Sequence, residues 1–475
     1  MTESNFILVN KQKEVIALPT RGHFIVLGTA GCGKSTMAVF RALHLAKMEP
    51  ENKVLLITYN NALVRYLQHI FNSFCITKDV SLPNNLTIEN YHKFARGYLK
   101  CRGQMNNSCI ITDEKREKYI KNAIREIREE KFLDSNYPDS CYIEYIRYVQ
   151  ELGINNLAET YNSPNLYSNN FSFKNIIFEI IERYNKIRQN NGFKYDWYDI
   201  AYYVYNELLQ DSSSRLYKHI IIDEGQDFSP IMLNSLIEAS REDGSITFFG
   251  DVAQQIYCSY VSWRNANFIF DNNKIWQFNV NYRNTSKISK LAQTLTNNSY
   301  WGLKEDIIQP KDYTAEGPTP ILIKFSDVNK EIDWVINKAL KCKNNSTVAI
   351  ICRNWNDINC LECVFKQKDY QGNMRIDRNT YYFASNTIYF TTYHSAKGLE
   401  FDNVIVPFLN DNKLPDINII SNVFDEKEFL ANELRLLYVA ITRSKFGLYM
   451  TYSGNLTPFL KEKLDCVDYL TESDI

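Results

Sequence analysis

What is scarce in these 475 residues narrows the field before any motif is considered. Glycine (17) and proline (12) are few, which excludes collagen-like and low-complexity chains. No stretch approaches the ~20 apolar residues of a membrane span, so no membrane partner is expected. The start, Met1-Thr2-Glu3-Ser4-Asn5, lacks the basic-then-apolar layout of an export signal. Eleven cysteines follow no framework spacing, and together these features point to a reducing cytoplasm. The lone C-x-x-C, Cys360-Leu361-Glu362-Cys363, has no second pair at zinc spacing, which favours packing over a metal or iron–sulfur role. A net charge of −1, from 54 basic and 55 acidic residues, is no bulk signal for nucleic acid; such a partner would need a local groove.

What is present is a chain with 45% apolar residues, long enough for about three domains. Apolar runs such as Phe24–Leu27, Val54–Thr58, His219–Asp223 and Ile246–Gly250 read as buried parallel strands. Helix patterns alternate with them, from Met37 to Leu45 and from Asn61 to Ile70. Alternation of this kind argues for an α/β fold, a parallel sheet with helices on both faces. A second such unit starts near Asn281, with strands at Val348–Cys352, Ile388–Thr391, Val404–Val406 and Leu448–Thr451. Between the two halves of the first unit, charge-rich helical patterns run through 112–133, 142–152 and 173–189. Their charges read first as a solvated face, with a DNA-facing role second.

Chemistry enters at Gly28-Thr29-Ala30-Gly31-Cys32-Gly33-Lys34-Ser35-Thr36. A strand precedes this GxxxxGK[ST] match and a helix follows, the context in which it cradles phosphates. Backbone N–H groups and the helix dipole would hold the anion, Lys34 the outer phosphates and Ser35 a Mg²⁺ ion. The apolar strand Ile220–Ile222 ends in Asp223-Glu224-Gly225-Gln226-Asp227. Asp223 is placed for the Mg²⁺ shell, and Glu224 to orient and deprotonate an attacking water. A third strand end, Phe248 to Tyr257, carries Gln254, suited to touch a γ-phosphate.

These motifs together resemble superfamily 1 helicase motors of the UvrD/Rep/PcrA type, in the family's order from Gln12 to Arg443. Asn10-Lys11-Gln12 resembles its adenine-reading motif, with Gln12 as the reader. Gly28, Ala30, Gly31, Cys32, Gly33, Lys34, Ser35 and Thr36 match its phosphate loop. Thr58-Tyr59-Asn60-Asn61-Ala62 and Asn90-Tyr91-His92-Lys93-Phe94-Ala95 resemble early motifs, and Gly250–Tyr257 its sensor. Asn281-Tyr282-Arg283 matches its NYR motif, implying Tyr282 packed on adenine and Arg283 on the γ-phosphate. Thr391–Asp402 resembles the late motif, with Glu400 on ribose and His394 by the strand. Glu433–Arg443 matches the last, with Arg443 as second arginine finger.

The resemblance implies two RecA-like P-loop domains and an ATP- and Mg²⁺-dependent motor running 3′ to 5′ on single-stranded DNA, or on DNA with single-stranded ends or gaps. The first domain is expected at 1–100 and 196–280, a helical insertion at 101–195, and the second domain at 281–475. Tyr59, His92, Tyr257, Trp263 and His394 are the expected strand contacts. Three departures stand out. Thr36 replaces a frequent adenine-packing arginine. Ser259 stands where a stacking tryptophan is usual, with Trp263 as substitute and Tyr260 as competitor. Ile351 to Thr391 is too short for the family's large inserted subdomain. The alternative is an accessory DNA-sensing ATPase beside a protein partner such as a nuclease, as in antiviral defence, with little unwinding of its own. An RNA motor is a further rival, since no residue reads a 2′-OH. No second carboxylate cluster suggests intrinsic cleavage.

Overall fold

The computed structural model describes residues 10–78, 83–106, 108–131, 138–154, 171–256, 263–268, 275–302, 307–344, 346–367, 373–375, 386–420, 425–460 and 464–475. Strands β1 (Gly22–Gly28), β2 (Lys53–Thr58), β3 (Leu86–Asn90), β4 (Tyr217–Ile222), β5 (Ser240–Gly250) and β6 (Ile275–Phe278) form one sheet in the order β3-β2-β4-β5-β1-β6. Every pairing in it is parallel. The apolar runs make this possible because both faces are covered. Phe24 and Val26 pack on helices Lys34–Met48 and Asn61–Lys78, while Ile25 and Leu27 face helices Tyr91–Cys101, Ile200–Gln210 and Pro230–Ala239.

A two-stranded ribbon, β7 (Val280–Thr285) with β8 (Asp312–Ala315), leads into the second sheet. That sheet comprises β9 (Ile321–Phe325), β10 (Thr347–Cys352), β11 (Asn373–Arg375), β12 (Thr387–Thr392), β13 (Phe401–Val406), β14 (Ser444–Ser453) and β15 (Asp468–Thr471). Their order is β11-β12-β10-β13-β14-β9-β15, again all parallel. One face packs on helices Ser286–Thr296 and Glu426–Ile441, the other on Val328–Cys342 and Trp355–Gln367. The fold is α/β, with two RecA-like parallel sheets. β3, β6, β7, β8, β9, β11 and β15 are additions to the strands expected from sequence. Between β10 and β12, the described residues hold only the helix Trp355–Gln367 and the short β11.

Within 101–195, helices Asp113–Lys131, Asp139–Leu152 and Phe171–Asn190 enclose a core of their own, centred on Ile120, Ile124, Ile146, Val149, Ile177 and Tyr184. Each helix sends a polar side chain to one buried carboxylate beneath them. Asp196 Oδ2 accepts from Arg116 Nε (3.2 Å), Gln150 Nε2 (3.0 Å) and Tyr184 Oη (2.8 Å). Its Oδ1 accepts from the backbone N–H of Tyr198 (2.8 Å) and Asp199 (2.9 Å). Arg188 completes the cluster by donating to Asp199 at 2.5 Å. Burial opposes the charge on Asp196, but Arg116 and Arg188 outweigh it and hold the carboxyl below its usual range.

Removing Asp196 takes the paired carboxylate from buried Arg116 and leaves Arg188 with Asp199 alone. Asp196→Ala is expected to cost about 3–5 kcal/mol in urea unfolding, and Asp196→Asn clearly less because the amide oxygen keeps part of the bonding.

Candidate ATP cleft and strand groove

The phosphate loop runs from the end of β1 into the helix Lys34–Met48. Gly31 (φ 73°) and Gly33 (φ 88°) take left-handed backbone conformations that side chains rarely adopt. Gly31 also has no room for a side chain, since a Cβ there would meet Asn281 Oδ1 at 2.4 Å and Arg283 Cβ at 2.6 Å. The Tyr282 N–H donates to the Gly31 carbonyl at 3.0 Å, and Gln12 Nε2 donates to the Cys32 carbonyl at 3.1 Å. Both residues expected at the base therefore touch the loop, and the Tyr282 ring is 41% exposed, open to a flat partner. Ala30 and Cys32 are buried in the loop, and Thr36 is half-buried.

Lys34 is buried and donates to the carbonyls of Gly28 (2.9 Å) and Thr29 (2.8 Å), with Asp251 Oδ2 at 3.4 Å. Across the sheet, both oxygens of Asp223 are buried and lack a well-formed hydrogen bond. Burial and the neighbouring Glu224 push the Asp223 carboxyl up to about 7, opposed by the Ser35 hydroxyl and Lys34. A buried, unsatisfied carboxylate next to Ser35 fits a divalent cation, which would supply the charge that Asp223 lacks. Glu224 adopts a left-handed conformation (φ 54°) at the strand's end and accepts from Gln226 Nε2 at 2.5 Å. Burial would raise its carboxyl, but Lys397 and Lys34 outweigh that, keeping it below its ordinary value and ionised.

The second domain reaches into this site with two cations. Arg443 Nη2 donates to Gln254 Oε1 at 2.6 Å, and Gln254 Nε2 donates to Asp251 Oδ2 at 2.6 Å. Lys397, buried, donates to Asp227 Oδ1 at 2.5 Å and to the Gln254 carbonyl. Asn284 Nδ2 bonds the carbonyls of Thr442 (3.0 Å) and Ser444 (2.6 Å), so one side chain ties the segment of Arg283 to that of Arg443. Arg283 pairs with Glu400, which also meets Lys445 at 3.4 Å. Burial notwithstanding, Arg283 and Lys445 hold Glu400 down at about 2. The γ-phosphate and ribose roles expected of Arg283 and Glu400 require that pair to part.

A groove of about 690 Å³ lies where both domains meet, and Tyr59, His92 and His394 are among its lining residues. His92 Nε2 donates to the Trp197 carbonyl (3.3 Å), and its ring lies 5.1 Å from that of Trp197. Burial, with Arg353 and Arg147 nearby, lowers His394 to about 4, so it is neutral at physiological pH. Trp263 does not belong to this wall. It is 3% exposed and packed 5.6 Å from Phe248 in the first domain's core, a correction to the stacking role expected of it. Tyr257, Ser259 and Tyr260 lie outside the described residues. Sequence reasoning assigned no role to Asp227, Asp251, Asn284, Lys397, Trp197 or Trp355. Lys397 and Asp227 sit inside quoted motifs, whereas Trp355 carries no local signal at all.

Gly31→Ala combines a left-handed backbone cost of about 1–2 kcal/mol with the clash against Asn281 and Arg283, so nucleotide affinity is expected to fall about tenfold or more. Titration calorimetry with ATP checks this; Gly33→Ala, which meets only Gln12 Nε2 at 3.1 Å, should fall less.

Comparison with known proteins follows the same division. The UvrD/REP helicase N-terminal domain family matches residues 8–279, and the UvrD-like helicase C-terminal domain family matches 276–383 and 372–455. A probable DNA helicase of Mycoplasma pneumoniae is 21% identical over 93% of this chain and 83% of its own length. DNA helicase II of Haemophilus influenzae is 23% identical over 62% of this chain and 40% of its own. A probable DNA helicase II homolog of Mycoplasma capricolum is 22% identical over 70% of this chain. The chain spans about half the length of several such relatives, 46% and 47% in two of them. With matches extending across both sheets and the phosphate loop, the chain belongs to the UvrD/REP helicase family.

Proposed function

We propose that this chain is an ATP-driven motor on single-stranded DNA, moving 3′ to 5′, in which hydrolysis requires the two domains to meet. The observation that carries the reading is the turn between β12 and β13. It presents His394 and Ser395 to the groove and Lys397 to Asp227 and Gln254 in the ATP cleft. One short segment of the second domain thus joins the two places that a translocating motor must couple.

In this reading Lys34 and the loop N–H groups hold the β- and γ-phosphates. Ser35 and Asp223 would hold Mg²⁺, which would supply charge neutralisation at the phosphates. Glu224, kept ionised by the cations around it, accepts a proton from the attacking water. Arg443 already lies at Gln254, and Arg283 becomes available by leaving Glu400. Charge spreading over the γ-phosphoryl oxygens is then met by cations from both domains. Gln12 and Tyr282 hold the base.

The short connection between β10 and β12 favours a second reading alongside the first, in which the chain senses DNA and signals to a protein partner such as a nuclease, with little strand separation. ATPase assays with single-stranded DNA, duplex and RNA, run beside unwinding of a 3′-tailed duplex, separate the two. Unwinding supports the motor; stimulation without it supports the signalling role; no DNA stimulation refutes both.

Lys34→Ala and Glu224→Gln are expected to lower ATP hydrolysis by at least about a hundredfold while strand binding persists, and normal turnover in either would remove the mechanism. Lys397→Met is expected to lose most of the stimulation by single-stranded DNA with ATP affinity little changed, and Lys397→Arg to regain part of it. A steady-state titration of ATPase rate against DNA reads both.

A further inference from the structure

The groove is lined unlike a site that grips a polyanion by its charge. Among its described lining residues, the charged ones are Asp113 and Glu151, and lysine and arginine are absent. Rings and side-chain amides make up much of the wall instead, Tyr59 and Trp197 from the first domain's side and Asn60, Asn61 and Asn90 beside them. Such a lining offers flat apolar faces and hydrogen bonds to bases, and little to phosphates.

Trp355 is the second domain's aromatic in this wall. Its indole is 40% exposed, although a large aromatic side chain gains most from burial. The backbone beneath it is firmly placed: Trp355 opens the helix Trp355–Gln367 directly after β10, and Asp357 and Ile358 anchor that first turn in the domain. The guanidinium of Arg375 sits over the ring, 5.5 Å from its centre. Trp263, the tryptophan expected at the strand, is instead locked in the first domain's core. The groove's ring on the second-domain side therefore comes from a different part of the chain.

We propose that Trp355 is a stacking platform for single-stranded DNA, with a base packed on the exposed part of its indole. The inference rests on the single-strand motor reading and adds to it how the strand is held: by its bases, between rings that belong to different domains. Because Tyr59 and Trp197 stand on one domain and Trp355 on the other, any change in the domains' separation acts on the spacing between stacked bases.

Fluorescence anisotropy of the full chain with labelled oligo-dT, and with a matching strand of abasic sites, tests this. Trp355→Ala is expected to weaken oligo-dT binding about tenfold, and Trp355→Phe to restore most of it. On the abasic strand, which keeps the phosphates and lacks the bases, wild type and Trp355→Ala should bind alike. Equal affinity of wild type and Trp355→Ala for oligo-dT overturns the proposal, and so does an equal loss on both strands. If the wild type fails to bind oligo-dT at all, the motor reading itself falls, and this one with it.

Discussion

The side chain of Gln254 is bonded in two directions, to Arg443 of the second domain and to Asp251 of the first, which in turn meets Lys34. Lys397 adds a bond to the Gln254 backbone and an ion pair to Asp227. Five charged groups and one amide are thus buried together. Separating the domains would keep Lys34 with Asp251 but would part Arg443 from Gln254 and Lys397 from Asp227, and breaking a buried ion pair costs several kcal/mol. Because these contacts share Gln254, the loss of one weakens the others.

Local chemistry was legible in the sequence because it is contiguous. The run Phe24–Leu27, the glycines after it and Lys34 lie within one strand, one loop and one helix start, so pattern alone positions them. The same holds for Asp223 and Glu224 at the end of β4. What the sequence could not display are pairings across the chain. Lys397 and Asp227 stand 170 residues apart, and nothing in either segment names the other. Tryptophans were ambiguous for a different reason. A ring that packs in a core and a ring that receives a base have the same local signature, so Trp263 was misassigned and Trp355 passed unnoticed. The direction of each ring is set by tertiary packing, against Phe248 in one case and beside Arg375 in the other.

The helical insertion is tied to the site through its root rather than its tip. Asp196 gathers one polar side chain from each of two insertion helices and Tyr184 from the third, and its other oxygen fixes the backbone of Tyr198 and Asp199. Trp197 lies between those anchored positions and faces the groove. The carboxylate that stabilises the insertion therefore also sets the wall along which a strand would run. By contrast, the second domain is trimmed between β10 and β12, and the helix beginning at Trp355 fills the space beside the groove.

The hydrogen bond from Tyr282 to Gly31, at 3.0 Å, and the lack of any clearance around Gly31 pin the second domain to the phosphate loop at the end where a base would sit. A joint fixed at one end turns separation into rotation. Arg443 and the groove wall at Trp355 belong to the same domain, so a rotation about that contact would carry both together.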